Sequence, residues 1–108
     1  MVQHVMLREM EDKDGTRRLM AILNQNGDLL IEGIDRGPGV QRIFDALEYE
    51  WVWTIPATEV SKLCQALQVE DHPLTALQDQ FSGEDAAGLK EFLQRHNIYH
   101  KSWSRTGD

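Results

Sequence analysis

Apolar residues come in short runs or alternate through most of the first half of the chain and recur every third or fourth position in most of the second half. The change of period divides strands from helices. Val2 to Met10 is rich in apolar residues and runs into Glu11-Asp12-Lys13-Asp14-Gly15, whose Asp-Gly pair marks a hairpin turn. Arg18 to Asn24 and Asp28 to Ile34 are two further strands, separated by Asn26-Gly27, the strongest short-range turn signal in the chain. A two-residue loop at Asn26-Gly27 pairs Leu23 with Leu30 and Ile22 with Ile31. Both faces of that ribbon then carry apolar pairs, which places it mid-sheet with at least one face well covered.

Gly37-Pro38-Gly39 breaks the third strand, because proline lacks a ladder donor. Val40, Ile43, Phe44 and Leu47 follow at the spacing of one helical face. Tyr49 to Ile55 returns to alternation, with Tyr49, Trp51, Trp53 and Ile55 on one side and Glu50, Val52 and Thr54 on the other. After Pro56 the spacing predicts three helices. The first carries Val60, Leu63, Cys64 and Leu67. The second starts near Asp71 with Pro73 in its first turn and carries Leu74, Leu77 and Phe81. The third opens on Ser82-Gly83-Glu84-Asp85, which resembles a capping box, carries Leu89, Phe92 and Leu93, and stops at Asn97. Ile98 to Arg105 reads as a last strand. The order β-β-β-α-β-α-α-α-β predicts one α+β domain over residues 1–108: an antiparallel meander with a short helix before the fourth strand, three helices on one face and a C-terminal strand. The pattern does not say where that last strand inserts.

Composition changes this picture little. A chain of 108 residues, 41% hydrophobic and 27% charged, has the size and balance of one folded domain. The start lacks the basic, continuously apolar character of a signal peptide, and no apolar run approaches the roughly 18 residues a membrane span needs. The single cysteine, Cys64, forms no internal disulfide framework. These features predict a soluble, cytoplasmic protein.

Charge points toward a class of partner. The net charge is −7 and the pI about 5.0, with the basic residues scattered, so nucleic acid is a poor fit. Between Asp28 and Glu50 lie Asp28, Glu32, Asp35, Asp45, Glu48 and Glu50 against only Arg36 and Arg42. Such a surface attracts a basic protein or a cation, although acidity also serves solubility alone.

Candidate chemistry is sparse. Glu32 and Glu50, with His100, form an acid–base set if they converge in a cleft between sheet and helices. The spacing of the acids matches no calcium loop, and His4, His72, His96 and His100 form no tight ligand pair, so no metal or other cofactor is predicted. Gly37-Pro38-Gly39 matches no phosphate-binding pattern and reads as a turn. Trp51, Trp53 and Trp103 are either a core wall or an interaction surface.

The runs Asp28-Leu29-Leu30-Ile31-Glu32-Gly33, Asp35, Gly37-Pro38-Gly39-Val40 and Tyr49-Glu50-Trp51-Val52-Trp53, together with Trp103-Ser104-Arg105-Thr106-Gly107-Asp108, resemble a small family of uncharacterised bacterial proteins. The resemblance implies a bacterial cytoplasmic protein and supplies no activity, cofactor or catalytic residue. The residues themselves favour a non-enzymatic, acidic protein-binding module, such as an inhibitor or an immunity- or antitoxin-like partner of a basic protein. Asp35, Glu48, Glu50 and Trp53 are its expected contact residues. The alternative is a small hydrolase or ligand-binding domain using Glu32, Glu50 and His100, and a third reading is a homo-oligomer built through the aromatic strands.

Overall fold

A computed structural model describes residues 3–70 and 72–107. The predicted boundary residues Val2 and Asp71 lie outside them, as does Asp108. Five strands form one antiparallel sheet in sequence order: β1 (Gln3–Asp12), β2 (Gly15–Leu23), β3 (Leu29–Arg36), β4 (Glu48–Ile55) and β5 (Lys101–Gly107). Helix α1 (Pro38–Phe44) connects β3 to β4. Helices α2 (Ala57–Leu67) and α3 (Pro73–Gln80), a 3-10 helix (Gly83–Gly88) and α4 (Leu89–Arg95) lie between β4 and β5. The α+β meander stands as the sequence predicts, and the last strand adds at the edge beside β4.

Alternation sorts the sheet into two faces. Leu19, Ala21, Leu29, Ile31 and Ile55 point to the helices and bury against Leu63, Leu67, Leu74, Leu77, Leu89 and Leu93. Leu29, Ile31, Ile55, Leu63, Leu77 and Leu93 are fully buried, each contributing roughly 1.5–3 kcal/mol of apolar transfer. Ile98, read as part of the last strand, instead sits in this core ahead of β5.

The turn between β2 and β3 differs from the prediction by one residue. Leu23 pairs with Leu29, Ile22 with Leu30 and Ala21 with Ile31. Asn24 donates its N–H to the Asp28 carbonyl at 2.9 Å and accepts from Gly27 N–H at 3.0 Å, so the loop holds three residues, with Gly27 at φ +91°. Asn26 and Asp28 exchange two further hydrogen bonds that hold the loop in this form. A three-residue loop closed by a positive-φ glycine is the other common hairpin solution.

Two helical details also differ. Helix α1 ends in Asp45 at φ +54°, and only Val40 is buried in it, while Ile43 is 76% exposed and Phe44 and Leu47 are exposed too. The capping box does not form. The Ser82 hydroxyl donates to the Gln78 carbonyl behind it, and a 3-10 turn intervenes before α4. Asn97, at φ +55°, does end the helical region.

Strand β1 carries a bulge between Met6 and Arg8. Strict alternation would place Glu9 and Glu11 toward the helices. The extra residue, Leu7, enters the core at 2% exposure and turns Glu9 and Glu11 to the other face, opposite Arg18 and Thr16.

Candidate functional site

Beyond the β1 bulge, the five strands align in rows of cross-strand partners. On the face away from the helices one row is Met6, Met20, Glu32, Val52 and Trp103, and the next is His4, Ile22, Leu30, Thr54 and Lys101. A third is Glu9, Arg18, Ile34, Glu50 and Arg105. Met6, Met20, Ile22, Leu30, Ile34 and Val52 are half-buried yet take no part in the core, and Trp103 is 51% exposed. No helix among the described residues covers this face. A solvated sheet face ordinarily shows polar residues at these positions.

Its charges are paired toward one end. Arg18 bonds Glu9 at 3.4 Å, Arg36 bonds Glu48 at 2.8 Å, and Arg105 grips Glu50 Oε2 through Nε and Nη2 at 3.1 and 3.0 Å. Beside these pairs runs a groove of about 640 Å³ lined by Glu9, Glu11, Thr16, Arg18, Ile34 and Arg36. Glu32 differs: it stands between Met20 and Val52 with no ion-pair or hydrogen-bond partner among the described residues.

The helix face presents an aromatic ladder. Phe44 stacks on Tyr49 at 4.5 Å between ring centroids, Trp51 lies 4.6 Å from Trp53, and Trp53 lies 5.5 Å from His100. The Trp51 indole crosses Gly33, its cross-strand partner, where an added Cβ would come within 2.1 Å of the ring. At one end of this face Asp35 faces Arg17 across the strands, and Arg42 bonds Asp14. A cavity of about 350 Å³ lies among Arg8, Arg17, Asp35, Arg42, Ile43 and Phe44. Burial pushes the Asp35 carboxyl above its usual range, and Arg8 and Arg17 oppose that shift without cancelling it. Glu59 moves the other way: its carboxylate accepts the Tyr99 N–H at 2.9 Å and bonds Lys62 at 3.2 Å, holding its pKa below the usual value. Asp28, read as an acidic surface residue, accepts the Ala57 N–H at 2.8 Å and ties the start of α2 to the β2–β3 loop.

The structure therefore divides the predicted contact residues. Glu48 and Glu50 lie on the open face, both in ion pairs, while Asp35 and Trp53 lie on the helix face. Glu32 and Glu50 are diagonal neighbours on the open face. His100 is not brought to them: its ring rests against Trp53 on the opposite side of the sheet, and Glu50 takes Arg105 instead. The tryptophans divide too, Trp51 and Trp53 toward the core and Trp103 outward. Among the described residues no cluster of three His, Cys, Asp or Glu side chains could hold a metal ion, and no helix is long and apolar enough to cross a membrane. The apolar residues of the open face were visible in the sequence as even-numbered apolar positions of β2 and β3. The alternation alone does not reveal that no helix among the described residues covers them.

By fold and surface the chain is a five-stranded meander with helices on one face and a partly apolar second face that no helix among the described residues covers. No protein-family model matches it, no curated protein matches its sequence significantly, and no solved structure matches its fold significantly.

Proposed function

We propose that this protein is a non-enzymatic protein-binding module that meets its partner through the open face of the sheet. The observation that carries the reading is Glu32, a carboxylate with no side-chain partner among the described residues, set among Met20, Leu30, Ile34 and Val52. An apolar surface with one uncompensated negative charge at its middle is complementary to an apolar surface presenting a lysine or arginine. The net charge of −7 draws a basic protein toward the molecule, and the paired Glu48 and Glu50 form part of the polar rim. An inhibitor or antitoxin-like role fits a module of this kind.

The test compares tagged wild-type protein with Leu30→Glu and Glu32→Lys in capture from the source cell, with Asp35→Asn on the other face as the control. A partner retained by wild type and control but weakened ~10-fold or more by both open-face variants supports the reading. Equal capture by all four proteins overturns it.

A further inference from the structure

The two edges of the sheet are built differently. Strand β1 is bulged between Met6 and Arg8, carries Glu9, Glu11 and Asp12, and lies against α3 and the 3-10 helix. Bulges, charges and covering elements all discourage pairing with another chain. Strand β5 has few of these protections. It pairs with β4 from Lys101 to Gly107 without a register shift and contains no proline. Its side chains from Lys101 to Thr106 are exposed on both faces. Among the described residues, no backbone hydrogen bond outside the β4 ladder involves it.

We propose that β5 pairs antiparallel with β5 of a second copy of this chain, joining the two sheets into one. The side chains select the register. Full overlap of Lys101–Gly107 sets Lys101 opposite the partner's Gly107, Ser102 opposite the partner's Thr106, and Trp103 opposite the partner's Arg105. Ser104 then meets its own copy on the two-fold axis. Arg105 is already held by Glu50 through two hydrogen bonds, which presents a fixed guanidinium for stacking against the partner's Trp103. Moving the register by two residues sets Lys101 opposite the partner's Arg105, or Arg105 opposite itself, and like charges directly opposite are unfavourable. Full overlap is thus the longest ladder, about six to eight main-chain hydrogen bonds, and the only one of these three registers free of like-charge pairs.

The experiment measures solution mass by light scattering from micromolar to millimolar protein. The mass is expected to rise from 12.4 kDa toward twice that value, and Ser104→Asp, which sets two carboxylates on the axis, is expected to hold it at the lower value with an unchanged circular dichroism spectrum. Ser104→Cys tests the register independently of charge: mild oxidation is expected to cross-link it, while Ser102→Cys, which has no counterpart opposite itself, remains uncross-linked. The native Cys64 is buried at 4% exposure and stays out of the comparison. A monomer at every concentration overturns the proposal, as does a dimer that survives Ser104→Asp, or cross-linking of Ser102→Cys equal to that of Ser104→Cys. Glu32→Lys leaves this edge unchanged, so the dimer and the open-face reading stand or fall separately.

Discussion

Asp35 and Glu59 are two carboxylates whose surroundings pull in opposite directions. Asp35 is held between strands where burial outweighs the attraction of Arg8 and Arg17, so ionising it costs the folded state more than the unfolded chain. Its folded pKa is raised, so this cost is absent below the unfolded value and grows as pH rises through the folded one. Asp35→Asn is therefore expected to melt higher than wild type at neutral pH, with the gain fading as pH falls into the carboxylate range; a lower melting temperature at neutral pH would contradict this. Glu59 has a lowered folded pKa, so the stability its charge provides is complete above the unfolded value and is lost as pH falls through the folded one. Thermal melts of Glu59→Gln should lie below wild type at neutral pH and converge with it in acid. Gly33 shows a third kind of residue effect. A methyl group there meets the Trp51 ring at 2.1 Å, so Gly33→Ala is expected to cost about 1–3 kcal/mol through overpacking, read by denaturant titration together with a shift in tryptophan emission. Trp51 and Gly33 are both plain in the sequence, but only the β3–β4 register sets one across the other.

Among the elements, the β1–β2 and β3–α1 corners are fastened together. Gly39 N–H bonds the Asp14 carbonyl at 2.9 Å, Gly37 N–H bonds the Leu47 carbonyl at 2.9 Å, and Arg42 bonds Asp14. Gly15, at φ +123°, leaves room for this approach: a Cβ there would lie 1.8 Å from the Arg36 carbonyl oxygen. Gly15→Ala combines a disallowed backbone angle with a backbone clash and is expected to cost at least about 1–3 kcal/mol, measured by urea denaturation. Tethering explains why α1 exists as so short a helix with Ile43 and Phe44 outside. Its amphipathic spacing was legible, but its placement follows the corner, not the burial of its apolar side. The same limit applies to Ser82. Its sequence context resembles a cap, yet the preceding helix supplies a nearer acceptor at Gln78.

For the whole molecule, adjacent residues on β3 report the difference between the two faces. Ile31 is fully buried and Leu30 only half-buried. Ile31→Ala is expected to cost about 2–4 kcal/mol; Leu30→Ala, which leaves no cavity under the helices, should cost less than half of that. Equal losses in calorimetry would mean that both faces are packed.

Local sequence specifies the number and order of the strands, the switch to helices after Pro56, and the buried helix positions Leu63, Cys64, Leu67, Leu74, Leu77, Leu89 and Leu93. Those follow from local periodicity and turn chemistry, which each segment carries within itself. Tertiary structure decided the three-residue loop at Asn24–Asp28, the edge position of β5, and the bulge that turns Glu9 and Glu11 outward. It also separated Glu32 and Glu50 from His100, and Asp35 and Trp53 from Glu48 and Glu50. Each of these depends on which strand lies beside which and in what register, and a one-residue change of register or a single bulge moves side chains to the opposite face.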